Sequence, residues 1–154
     1  DTLWNAVLEY WPDMDKRISR IDYVGTRHQG SDRVRHVCGA IGANDRLYRA
    51  FAEGCVVTEA VRDLVDEKAG TVIHPGGQCL SGHLQFKTWT RILGRPEQPV
   101  SLECRRQVWR IDDVMACVVC AEDFSSNVME ATNIFTKMPC GSWRMVHHHG
   151  SPSH

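Results

Sequence analysis

Apolar residues recur at helical spacing twice in the first half of the chain, and the period drops to two in the second half. Leu3, Trp4, Val7, Leu8 and Trp11 share one face of a short amphipathic helix that Pro12 should end. Residues 13–32 are dominated by charge, with Ile18, Ile21, Tyr23 and Val24 as the apolar grips, and read as an irregular arm with about one helical turn. From Arg33 the positions Val34, Val37, Ile41, Leu47, Tyr48 and Phe51 approximate a helical stripe. Gly39 and Gly42 weaken that stripe by about 1 kcal/mol each relative to alanine. Gly54 is its stop, Thr58 is an N-cap, and Val61, Leu64 and Val65 form the buried side of a second helix.

Beyond Pro96 and Pro99, Val100, Leu102 and Cys104 alternate with polar residues, and Trp109 and Ile111 then take the opposite phase. That slip predicts a β-bulge over residues 105–107. Asp112 and Asp113 read as a hairpin turn, and the near-continuous apolar run of residues 114–121 as a central strand covered on both faces. Residues 131–137 and 143–152 read as two more strands joined by a turn. Helices followed by an antiparallel meander give an α+β fold, a curved sheet closing as a cone over about three helices, with an extra N-terminal helical arm. The expected division is residues 1–35 for the arm and 36–154 for the domain.

The pattern of the last strand, Trp143 with Val146, His147, His148, His149 and Ser151-Pro152, is not that of a purification tag. It resembles the closing strand of the SnoaL-like branch of the nuclear transport factor 2 superfamily. The resemblance keeps its order upstream. Ala43-Asn44 to Phe51 resembles the first helix of that family, Thr58 to Val65 the second, and Phe86 to Leu93 with Trp89 the third. His74-Pro75-Gly76 resembles the turn after a preceding strand. The resemblance covers roughly residues 40–152 and implies the cone, with the last strand beside an interior pocket. Because one scaffold carries many unrelated sites, it implies much less about activity. The calcium/calmodulin-dependent kinase association domain is a relative with a similar ending, but its pocket uses an arginine where this chain has Asn133, which weighs against anion binding.

Size and charge narrow the field. A chain of 154 residues supports one hydrophobic core without disulfides or metal. Eighteen basic against nineteen acidic residues leave a net charge of -1, so no nucleic-acid partner is expected. No apolar run is long enough to span a membrane. Seven cysteines, an odd number, point to free thiols in a reducing intracellular compartment, cytoplasmic or organellar, with the mitochondrial matrix among those that fit. Asp1 in place of methionine fits either a processed or a trimmed terminus.

Cys117 and Cys120 have zinc-knuckle spacing, but residues three apart on a strand face opposite sides, so both pack as small hydrophobes. His147 and His149 share one face, and with His74 they would make a minimal imidazole set without a carboxylate or thiolate partner, so neither metal nor cofactor is expected. Trp89, Asn133, Phe135, His147 and His149 are expected to line the interior, either around a small apolar ligand or as a satisfied core network. The family's isomerase, cyclase and dehydratase members imply a base in an apolar pocket, for which His74, Glu122 and His147 are the candidates.

The sequence favours a non-catalytic interaction or assembly module, a self-associating domain or an accessory subunit of a larger complex. A protein partner or a second copy would dock on the convex sheet, and Trp4, Leu8 and Trp11 of the arm would make a further contact. The alternative is a small-molecule enzyme of the SnoaL or ketosteroid isomerase type. An interior filled by Trp89, Phe135 and Met145 would exclude it, and an open cavity with a buried His or Glu on an apolar wall would favour it.

Overall fold

The computed structural model describes residues 2–55, 58–93, 100–125 and 127–153. Pro96, Pro99 and Asp1 lie outside the described residues. Helix α1 (Thr2–Tyr10) leads through a 3-10 turn (Pro12–Lys16) into strand β1 (Ile18–Tyr23). Helices α2 (Gly30–Ala52) and α3 (Glu59–Leu64), the short strands β2 (Thr71–Ile73) and β3 (Leu80–Ser81), and helix α4 (His83–Leu93) follow. Four long strands complete the fold, β4 (Leu102–Ile111), β5 (Met115–Phe124), β6 (Asn127–Lys137) and β7 (Trp143–Pro152).

The sheet runs β1-β4-β5-β6-β7-β2-β3. Its centre is the antiparallel meander β4 to β7, extended by β1 parallel to β4 and by β2 parallel to β7. The first and last strands do not pair with each other, so the sheet curls without closing. Helices fill its concave side, where Val37, Ile41, Leu47 and Phe51 of α2 meet Trp109, Ile111, Phe135 and Met145 of the sheet in one core.

Residues 13–32, expected to be irregular, contain a strand. Ile18 and Ile21 are both buried although three residues apart, because a register shift between Ile18 and Arg20 puts both on the inner face. That shift hides the period-two signal. Helix α2 also starts three residues before the expected Arg33 and runs through position 35. The loop between β1 and α2 is tied to the β4–β5 turn, since Asp113 accepts hydrogen bonds from the Tyr23 hydroxyl (2.6 Å) and from the backbone N–H groups of Thr26 and Arg27 (both 3.0 Å).

The slip in β4 falls where the sequence places it. The register with β5 shifts between Arg105 and Val108, and Arg106 adopts φ +52°. After the bulge, Gln107 points inward and caps the disruption by donating to the Cys104 carbonyl (2.9 Å) and accepting from Trp109 Nε1 (2.9 Å). Strand β5 is central but not covered on both faces. Ala116, Val118, Cys120 and Glu122 are buried, while Met115 and Val119 are 44% and 46% exposed. Its apolar run therefore includes an open outer face. Cys117 and Cys120 do face opposite sides, with Cys120 in the core, and all seven cysteines are free.

Gly39 and Gly42 permit close approach rather than marking a helix break. A Cβ on Gly39 would lie 3.0 Å from Trp143 Nε1, and one on Gly42 would lie 3.3 Å from the Trp11 ring. Leu3 and Val7 of α1 are buried, and Trp4, Leu8 and Trp11 pack half-buried against the same core. The arm is therefore folded back on the domain. Trp11→Ala is expected to cost about 1–2 kcal/mol, roughly 3–6 °C of melting temperature at this chain length. Circular dichroism melting reads this directly, and unchanged melting would return Trp11 to the role of a partner contact.

Candidate functional site

Strand β7 places its histidines by a bulge. Trp143 and Met145 face the core, and the register with β6 then jumps from Phe135↔Met145 to Ile134↔His147, which leaves Val146 as the extra residue. Beyond it the inward phase passes to His148 and Gly150. The histidine that enters the interior is thus His148, 2% exposed, rather than His147 or His149. His147 lies on the outer face, its Nδ1 2.7 Å from Thr71 Oγ1, and His149 is exposed beside it. Continuing the Trp143–Met145 alternation leads to the opposite assignment because a one-residue slip exchanges the faces.

His148 joins a buried hydrogen-bond chain from four elements. Asn133 on β6 orients its amide by donating Nδ2–H to Asn44 Oδ1 (3.1 Å) and to the Tyr48 hydroxyl oxygen (2.9 Å). Its Oδ1 therefore accepts from His148 Nδ1 (2.6 Å), which leaves His148 Nε2 as the imidazole's free lone pair. Tyr48 on α2, already an acceptor, donates its own proton to Glu122 Oε1 on β5. Glu122 Oε2 remains open. A Cβ on Gly150 would stand 3.5 Å from His148 Nε2 and 3.9 Å from Glu122 Oε2, so these two atoms face one small volume that glycine leaves free.

That volume opens into a cavity of about 280 Å³. Its wall is largely apolar, with Phe51, Trp89, Leu102 and Phe124, and it also includes His74 and Arg91. An engineered cavity of roughly 150 Å³ accommodates benzene, so this one suits a ligand of one to two rings. Trp89 stacks on Phe51 (4.5 Å between ring centroids), with His74 edge-on to it at 4.5 Å and His148 tilted at 4.8 Å. Trp89 Nε1 and His74 Nε2 are buried and have no hydrogen-bond partner among the described residues. Phe135 lies in the core against Trp109 and does not line the cavity. Asn133 touches the cavity only through its partners.

Burial sets the charges. It pushes the Glu122 carboxyl up to about 7, opposed by the Tyr48 hydrogen bond. It also holds His148 down to about 3 and, with the Arg91 charge, His74 down to about 4. The Tyr48 phenol is raised well above its usual range by burial and by the neighbouring Glu122 charge. His148 Nδ1 and Glu122 Oε1 are 3.9 Å apart, within ion-pair distance, yet at neutral pH the pair is a neutral imidazole beside a half-ionised carboxyl. Nδ1 is in any case committed to Asn133. Among the described residues no group of three or more His, Cys, Asp or Glu side chains converges as a metal site.

Of the expected catalytic candidates, the structure brings His74 and Glu122 to the cavity and leaves His147 outside. Tyr48, His148 and Gly150 complete the site and escape sequence reasoning. Tyr48 sits on the buried stripe of α2 like any core aromatic, and only the β7 bulge selects His148.

Glu122 and His148 give stability opposite dependences on pH. Because its folded pKa, about 7, lies above the unfolded 4.5, its contribution is fully present below pH 4.5 and is lost as pH rises through about 7, a change on the order of 3 kcal/mol. His148, depressed from 6.5 to about 3, contributes above pH 6.5 and loses that contribution as pH falls toward 3. Glu122→Gln removes only the first term and keeps an acceptor for Tyr48. The melting-temperature gain of this variant over the parent should be larger at about pH 8 than at about pH 5. Equal shifts at both would contradict a buried carboxyl with a raised pKa.

Residues 41–153 match the SnoaL-like domain family model. Among solved structures, a protein of the NTF2-like family from Streptomyces avermitilis, provisionally assigned as a dehydratase, is 24% identical with TM-score 0.63, covering 75% of this chain and 94% of its own. A Shewanella frigidimarina protein provisionally assigned as a ketosteroid isomerase is 14% identical with TM-score 0.61, covering 73% and 94%. A Thiobacillus denitrificans protein provisionally assigned as a calcium/calmodulin-dependent protein kinase type II association domain is 20% identical with TM-score 0.61, covering 74% and 94%. At such identities the likeness establishes the fold alone. No curated protein is similar enough in sequence to count as a match.

Proposed function

The chain belongs to the SnoaL-like domain family, and from its buried acid–base cluster we propose that it binds a small, largely apolar molecule in the cone and moves a proton on it. The observation that carries this reading is the convergence of Glu122 Oε2 and His148 Nε2 on the space left by Gly150, at the end of an open cavity. An open cavity with a buried Glu and His on an apolar wall favours the small-molecule reading over the assembly reading.

Glu122 is the general base. A carboxyl near 7 is ionised often enough at neutral pH to accept a proton, and basic enough to take one from carbon next to a carbonyl. Its protonated form then returns the proton to a second carbon, which is an isomerisation, or to a departing hydroxyl, which is a dehydration. Tyr48 holds the carboxyl in one rotamer through Oε1, which leaves Oε2 as the reacting atom. His148 stays neutral and accepts a hydrogen bond from a ligand hydroxyl at Nε2, which orients the molecule over Glu122. The apolar wall excludes water and keeps the carboxyl basic. The neighbours provisionally assigned as a dehydratase and as a ketosteroid isomerase suit this class of chemistry.

Exchange of α-protons for deuterium in a panel of small cyclic ketones and enones, followed by NMR, tests the reading. The protein should accelerate exchange, Glu122→Gln should lower the rate by a hundredfold or more, and Tyr48→Phe should move the rising limb of the pH–rate profile upward, because the hydroxyl that lowers the Glu122 pKa is gone. Exchange indifferent to Glu122 would exclude it as the base.

A second reading, self-association through the outer sheet face, is favoured by one observation and is compatible with an interior site. Val108 and Val119, cross-strand partners, are exposed together with Met115 on that face. The neighbour provisionally assigned as a kinase association domain suits this reading. Val119→Glu should convert a dimer to a monomer in native mass spectrometry. A parent protein that is already monomeric at micromolar concentration would end this reading.

A further inference from the structure

Among the described residues the cavity is lined by one carboxyl, Glu122, and one guanidinium, Arg91. Glu122 is buried, whereas Arg91, in the last turn of α4, is exposed. Arg91 lines the same cavity as His74, and its positive charge is felt at the His74 ring. None of the ion pairs among the described residues involves Arg91. Its place in the last turn of α4 suits the helix dipole, but that role needs no cavity beside it.

The cavity wall also holds two buried nitrogens without partners among the described residues. Trp89, two residues before Arg91, is 6% exposed, and its Nε1–H can only donate. His74 Nε2 is the other, on a ring packed edge-on against Trp89. Buried polar nitrogens without partners are uncommon in folded proteins and are met by a ligand where one binds. A guanidinium presents parallel N–H groups that match a carboxylate in two contacts, and field lines from a charge beside a low-dielectric cavity are focused into it.

We propose that the ligand of this site is a small aromatic or alicyclic carboxylic acid, bound with its carboxylate at Arg91 against the Trp89 and His74 wall and its reacting end between Glu122 and His148. This rests on the interior-site reading above and specifies its substrate class. Asn133, where the sequence weighed against an anion, is indeed no cation, and the positive charge comes instead from α4. Holding the anionic end away from Glu122 keeps two negative charges apart, so the base can still ionise with the acid bound.

The test uses benzoate, phenylacetate and cinnamate, each beside its primary amide, titrated at neutral pH into the parent protein, Arg91→Gln and Gly150→Ala by calorimetry and tryptophan fluorescence. The acids should bind the parent at least tenfold more tightly than the amides. Arg91→Gln, an exposed position whose variant should keep the parent's circular dichroism, should reduce that preference to under threefold with little effect on the amides. Gly150→Ala adds a methyl at ordinary contact distance from His148 and should weaken acid and amide alike for the longer probes. Amides binding as tightly as acids in the parent would overturn the carboxylate assignment and leave the interior site standing. An acid preference that survives in Arg91→Gln would overturn the role of that residue. Neither series binding the parent at millimolar concentration would overturn both this inference and the interior-site reading.

Discussion

A carboxylic acid held in the interior by a single hydroxyl is the constraint around which the concave side of this protein is arranged. Glu122 accepts the Tyr48 proton, Tyr48 accepts from Asn133, and Asn133 accepts from His148, so one directional chain joins α2, β5, β6 and β7. Each member fixes the role of the next. The Asn44 contact turns the Asn133 amide, the amide sets the His148 tautomer, and the tautomer leaves Nε2 as a lone pair beside the open oxygen of Glu122. A buried polar network of this kind is stable only when its members are satisfied, and an apolar wall on the remaining side keeps the carboxyl poised rather than fully charged.

Two of the three register shifts in the sheet serve this chain directly. The β4 bulge around Arg106 turns Gln107 inward to close the ladder beneath Trp109. The β7 bulge at Val146 changes the inward set from Trp143 and Met145, which fill the core, to His148 and Gly150, which border the cavity. One strand thereby contributes packing at its beginning and a site at its end. The glycines of α2 work in the same direction, since Gly39 lets Trp143 approach the helix that presents Tyr48.

Much of this scaffold can be read in the chain itself. Helical stripes, the change of period after residue 100, the phase slip before Trp109 and the closing-strand pattern each have local causes, and together they lead to an α+β cone. Strand β1 is harder to read because its register shift places Ile18 and Ile21 on one face at a spacing that belongs to neither simple period. Half of the site is legible as residue types, since His74, Trp89 and Glu122 are plausible from chemistry alone. The rest is not. Tyr48 is indistinguishable from a core aromatic on its helix, and which of three successive histidines turns inward depends on one unpaired residue whose position the alternation does not reveal. The open interior, which decides between scaffold and chemistry, depends on how far α4 stands from β5, a distance that no local pattern contains.

The central claim is that Glu122 is a buried, hydroxyl-bonded carboxyl poised near neutrality. Infrared difference titration of its carboxyl stretch, parent protein minus Glu122→Gln, measures this in the resting protein without any ligand. A protonated band should persist above the ordinary carboxyl range and disappear with a midpoint at about 7. A midpoint near 4.5, the value of a solvated glutamate, would contradict it.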